Sequence, residues 1–107
     1  MRFLITAIGS MSAKCAISRL KDSGYFVAGC DIYPGEWHYE TKLCDVFVQA
    51  PLATKQDEYV QFLIDTCHQF ELDHIIPLTD LEIDVINRQR SKIENLGIVL
   101  CMQSAEV

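Results

Sequence analysis

Two short stretches of the chain carry its most suggestive chemistry, and each follows an apolar run. In "FLITAIGSMSAK", Gly9, Ser10, Met11 and Ser12 stand between such a run and a helical pattern. Amides at a helix start, with serine hydroxyls beside them, can hold an anion. Asp31 lies 22 residues after Gly9, close to the acidic position of a dinucleotide-binding fingerprint. That fingerprint needs two more glycines, one for backbone approach to pyrophosphate and one for close helix–strand packing. Met11 and Lys14 hold those places, which argues against a nicotinamide cofactor. The plainer roles are a positive-φ turn at Gly9 and a helix cap at Ser12.

The second stretch, "IIPLTDLEID", sets Thr79, Asp80, Glu82 and Asp84 just after Pro77. Thr79 and Glu82 have capping-box spacing, and the helix dipole favours acidic groups in a first turn. Asp80 is surplus to that box. A carboxylate there could accept hydrogen bonds from an amine or ammonium group, or orient a neighbouring loop. A third stretch, "GEWHYE", alternates Glu36, His38 and Glu40 as three potential metal ligands, a thin set for a metal centre. Its Trp37 and Tyr39 suit packing or an interface with another domain. Cys67 and His68 are adjacent, which on a helix points them apart. His68 and His74 both read as structural, and no complete catalytic constellation is present.

These residues must be positioned by alternating strands and helices. Strands are expected over 3–7, 26–31, 45–49, 74–77 and 98–101, each short and apolar in the manner of strands buried on both faces. Helices are expected over 12–23, from Thr54 with Asp57 as an approximate capping box, and over about 81–95. The buried stripe of the second is Val60, Leu63, Ile64 and Cys67. Gly24 and Gly97 stand where helix C-caps want glycine. Such alternation implies right-handed crossovers and a parallel sheet between helix layers. The fold class is α/β, three-layer and Rossmann-like, with strand order 3-2-1-4-5. The switch crevice then lies between residues 8–12 and 78–81, the loops after the first and fourth strands.

Bulk properties narrow the function. The 107 residues suit one domain, and half of them are apolar, so disorder is a poor reading. A net charge of -6, with nine scattered Lys and Arg residues, argues against nucleic acid. Arg88, Arg90 and Lys92 read as a solvated helix face. No apolar run approaches the roughly 20 residues of a membrane span, and the N-terminus does not resemble a signal peptide, so the expected location is the cytoplasm. The five cysteines are odd in number, widely spaced and set in apolar patterns, which makes them packing residues.

The succession "FLITAIGS", "VAGCDIYP", "CDVFVQAP", "DEYVQFLIDTC", "ELDHIIPLTDLEIDVI" and "LGIVL" resembles the N-terminal domain of ATP-grasp ligases, in particular the carbamoyl-phosphate synthase large subunit. The matching landmarks are Gly9, Asp31, Asp45 with Pro51, Tyr59, and the Ile-Ile-Pro-x-x-Asp-x-Glu element ending at Glu82. The resemblance covers nearly the whole chain. It implies that residues 1–107 form a pre-ATP-grasp domain, a fragment lacking the ATP-grasp lobes expected C-terminal to it. The parent would use ATP and Mg²⁺ to phosphorylate a carboxylate, after which an amine or ammonia displaces phosphate. ATP and metal ligands would come from the later lobes, with none held tightly here. The implied substrate-facing loops contain Gly9, Ser10, Met11, Ser12, Thr79, Asp80 and Glu82. Implied partners are those small molecules and the chain's own lobes, and a homodimer is compatible with the family. Two other classes compete: a free-standing Rossmann-type nucleotide or sensor module, and a non-catalytic interaction domain docking through Trp37 and Tyr39.

Overall fold

The computed structural model describes residues 2–9, 13–33 and 42–101. In chain order the elements are β1 (Arg2–Ile5), α1 (Ala13–Asp22), β2 (Phe26–Asp31), β3 (Val46–Gln49), α2 (Gln56–Phe70), β4 (His74–Ile76), α3 (Asp80–Arg88), α4 (Arg90–Glu94) and β5 (Val99–Leu100). The five strands pair in parallel in the order β3-β2-β1-β4-β5, as the alternation predicts.

The pleat splits the apolar residues between two cores, because successive side chains in a strand point to opposite faces. Leu4, Ala28, Cys30 and Ile75 face one side, packed with Tyr59, Val60, Leu63, Ile64 and Cys67 of α2 and with Val85, Ile86 and Ile93. Ile5 and Val27 face the other, packed with Ile8 and with Ala13 and Ile17 of α1. Handedness explains why α1 stands apart from the later helices. The chain steps one way across the sheet from β1 to β2 and the other way from β3 to β5, so right-handed crossovers deliver helices to opposite faces.

Gly29 is where these layers come closest. A Cβ there would lie 2.7 Å from Cys44 Sγ and 2.9 Å from Ile8 Cγ2, so only glycine lets the residues following β1 pack onto β2. Helix α1 ends as its glycine suggests: Gly24 has φ +83, and Tyr25 N–H donates to the Leu20 carbonyl across 3.1 Å.

Three expectations need correction. Thr54 and Asp57 form no capping box, since α2 starts at Gln56 with Lys55 as its uncapped N-cap residue. Asp57 Oδ1 instead accepts from Gln89 Nε2 (3.2 Å). The helix expected over 81–95 breaks at Gln89 (φ -121, ψ 26), and that contact with α2 sits at the break. Cys15 and Cys101 are exposed, so packing accounts only for Cys30 and Cys67, which are buried, and for half-buried Cys44.

Two aspartates pin the N-terminal edge of the sheet. Asp45 Oδ2 accepts the Val27 amide (2.8 Å), its own amide donates to the Val27 carbonyl (2.8 Å), and Lys21 Nζ lies 2.7 Å from Oδ2. The start of β3 is thereby tied to β2 and to the end of α1. Asp73 Oδ1 accepts the Arg2 amide (2.9 Å) and sits 2.7 Å from His74 Nδ1, while the Arg2 guanidinium lies 3.9 Å over the Phe26 ring. Partial burial raises each carboxyl's pKa, but hydrogen bonds and nearby positive charge outweigh it, and both lie below the ordinary value. A carboxylate held low adds stability that is complete above its unfolded pKa of about 4 and is lost as pH falls through the folded value. Urea midpoints should stay level from about pH 7 to 5 and drop below about pH 4. Asp45→Asn should flatten part of that drop; an unchanged slope would show that Asp45 is not one of the groups responsible.

Candidate functional site

The loops after the strands gather at the C-terminal end of the sheet, where order reversal leaves a crevice. A pocket of about 330 Å³ opens there, lined mainly from the segments following β2 and β3, by Tyr59 of α2, and by Thr79, Leu81 and Glu82 at the start of α3. The loop after β1 reaches it through Ala7, whose φ of 51 turns the chain. That left-handed turn was expected at Gly9. Main-chain bonds hold this turn on both sides: Thr6 N–H donates to Ile76 of β4, and Ile8 N–H to Cys30 of β2, each at 3.2 Å.

Two hydroxyls converge on Glu82 at the pocket's inner wall. Tyr59 donates to Glu82 Oε2, and Thr79 Oγ1 donates to Glu82 Oε1 (2.6 Å). Behind it, Leu78 N–H donates to Thr6 Oγ1 (3.3 Å). Tyr59 is 1 % exposed and Glu82 8 %. Burial first, with the Glu82 carboxylate beside the phenol, pushes the Tyr59 pKa far up, so it stays a neutral donor. The Cys30 thiol is raised by burial and then by Glu82 and Asp31, which keeps it protonated and a poor nucleophile.

Thr79 and Glu82 therefore share the spacing of a capping box without acting as one. Thr79 occupies the N-cap position of α3 with extended backbone (φ -120, ψ 151), but makes no side-chain cap. Its hydroxyl serves the Glu82 carboxylate, which has turned inward to Tyr59. Glu82 had a place among the substrate-facing residues, whereas its tie to Tyr59 is legible only after folding, because 23 residues separate them. Spacing does hint that Tyr59 is buried, since it lies four residues before Leu63 on the same helix face.

The other sequence-derived residues distribute unevenly. Asp80 is exposed and does not line the pocket. Gly9 is exposed, and its amide donates to Asp31 Oδ2 (3.0 Å). Ser10, Met11 and Ser12 lie outside the described residues, as do Glu36, Trp37, His38, Tyr39 and Glu40. Elsewhere among the described residues no group of three His, Cys, Asp or Glu side chains is placed to hold a metal. His68 is exposed beside buried Cys67, as their adjacency on a helix requires.

Asp31 has a different task from that of a ribose-binding carboxylate. Oδ2 accepts Gly9 N–H, and Oδ1 accepts Tyr33 N–H at 3.1 Å, so one side chain ties the ends of two loops to β2. Hydrogen bonds to a charged acceptor contribute roughly 1.5–3 kcal/mol each, equivalent to about 10- to 100-fold in local opening. Asp31→Ala should raise the hydrogen-exchange rate of the Gly9 amide by at least about tenfold, and leave amides in the centre of α2 unaffected. Unchanged exchange at Gly9 would refute the latch.

The family model described as "PylC-like, N-terminal domain" matches residues 39–101. No curated protein matches the chain. The matched span runs from β3 through α2, β4, α3 and α4 to β5, and so contains Tyr59, Thr79 and Glu82; β1, β2 and the Gly9 loop precede it. More than half of the length is matched, and the parallel 3-2-1-4-5 sheet agrees: this chain belongs to the PylC-like N-terminal domain family, a family of pre-ATP-grasp domains.

Proposed function

We propose that the chain is the N-terminal domain of an ATP-dependent ligase that joins a carboxylate to an amine or to ammonia. The family match carries this reading. In the proposed reaction a carboxylate oxygen takes the γ-phosphoryl group of ATP, giving an acyl phosphate and ADP. The amine nitrogen then attacks the acyl carbon, phosphate leaves, and the nitrogen loses a proton. Phosphoryl transfer of this kind depends on positioning and on charge neutralisation. Among such ligases, the motif order most resembles the carbamoyl-phosphate synthase large subunit, which keeps ammonia among the acceptors.

The described residues do not fit Mg²⁺-ATP. Among them no lysine or arginine lines the pocket, two carboxylates do, and the Gly9 amide already serves Asp31. The proposed task of this domain is therefore to shape the substrate side of a cleft whose nucleotide is held by ATP-grasp lobes. Apolar side chains left exposed at the pocket mouth support docking of such lobes or of substrate, because exposed apolar groups collected in one place mark a contact surface. No helix among the described residues is long and apolar enough to cross a membrane, which is compatible with the proposed cytoplasmic location.

Coupled ADP-release assays test the reading. Purified residues 1–107 should release no ADP above background. The same chain joined to the ATP-grasp lobes of its parent protein should release ADP when a carboxylate and an amine are both present. ATP turnover by residues 1–107 alone, or a parent protein that consumes no ATP with any carboxylate–amine pair, would overturn it.

A further inference from the structure

We infer that the pocket between α2, α3 and the ends of β2 and β3 is a binding site for a small ligand with an apolar body and a cationic ammonium head, held by Glu82. Three observations carry this. The first is the state of Glu82, which is 92 % buried yet has no cationic partner among the described residues. A carboxylate offers about four acceptor sites, and the hydroxyls of Tyr59 and Thr79 take two of them. Hydroxyl dipoles solvate the charge without neutralising it, and buried charges are ordinarily paired.

The lining supplies the second observation. Among the described residues Asp31 also borders the pocket, no lysine, arginine or histidine does, and the remaining wall is largely apolar, with Ala7, Ala50 and Ala53 among its small side chains. The Glu82 carboxylate against low-dielectric walls sets up a field that attracts cations. The volume of about 330 Å³ falls in the range of small-molecule sites.

The rim supplies the third. Of the six large hydrophobic side chains exposed among the described residues, four (Ile32, Tyr33, Leu52 and Leu81) border this pocket. Leu81 is 52 % exposed one residue before buried Glu82, so α3 presents an apolar lip beside an anionic floor. An alkylammonium chain matches both: its methylenes cover the lip and its head reaches the free acceptor sites of Glu82.

The inference rests on the ligase reading only for the name amine substrate; the binding claim rests on the pocket. The probes are n-hexylammonium, 1-hexanol and hexanoate, titrated separately without ATP into ¹⁵N-labelled protein at fixed ionic strength. Hexylammonium should shift the amides of Ala53, Leu81 and Glu82 and bind about tenfold more tightly than hexanol or better, with hexanoate weakest. Glu82→Gln should lower hexylammonium affinity to that of hexanol. Leu81→Ser, at the exposed lip, should weaken hexylammonium and hexanol by a similar factor. Equal binding of hexylammonium and hexanol, preference for hexanoate, or no shifts at the pocket would overturn the inference. The ranking of probes on the unaltered protein decides the matter even if Glu82→Gln fails to fold. Because ATP is absent, failure here leaves the ligase reading standing, and failure of the ADP assay leaves the pocket standing.

Discussion

The contact between Tyr59 and Glu82 is the constraint on which the crevice depends. It joins α2 to α3 across the open end of the sheet, and neither partner can leave without a buried penalty. Loss of Glu82 strands a phenol and a threonine hydroxyl; loss of Tyr59 leaves a buried carboxylate short of one donor. Breaking such a bond costs more than its net contribution, since the remaining group is left desolvated. Beside it, Thr6 Oγ1 accepts the Leu78 amide, which ties the segment following β1 to the one following β4.

Around that network the sheet is fixed by carboxylates that bind main-chain amides. Asp31 holds Gly9 and Tyr33 at the C-terminal end, and Asp45 and Asp73 hold Val27 and Arg2 at the other. Each uses a charged acceptor to satisfy N–H groups at element ends, where regular sheet pairing runs out. The arrangement makes Glu82 distinctive. Its oxygens accept from side-chain hydroxyls rather than from main chain, and it faces a pocket.

Much of the architecture was legible in the residues. Short unalternating apolar runs marked every strand, and the turn from one crossover direction to the other followed from the order of elements alone. Gly24 and Gly97 announced their left-handed caps, which the positive φ values bear out. Local capping signals misled. Thr54-x-x-Asp57 and Thr79-x-x-Glu82 have equal spacing, and tertiary contacts redirect both, Asp57 to Gln89 and Glu82 to Tyr59. The break at Gln89 carries no glycine or proline to announce it. At the site, the sequence placed the crevice between the loops after β1 and β4 and singled out Asp80, whereas the pocket draws most of its lining from the segments after β2 and β3, with Glu82 inside it and Asp80 outside. Carboxylates two residues apart on a helix face different ways, and only packing against α2 decides which one is buried.

The most direct test of the Tyr59–Glu82 constraint is a double-mutant cycle in urea denaturation, using Tyr59→Phe, Glu82→Gln and the pair together. A hydrogen bond between buried partners predicts a coupling energy of about 1 kcal/mol or more, with the double variant less destabilised than the sum of the two single changes. Strictly additive losses would contradict the account and place the stability of the crevice elsewhere.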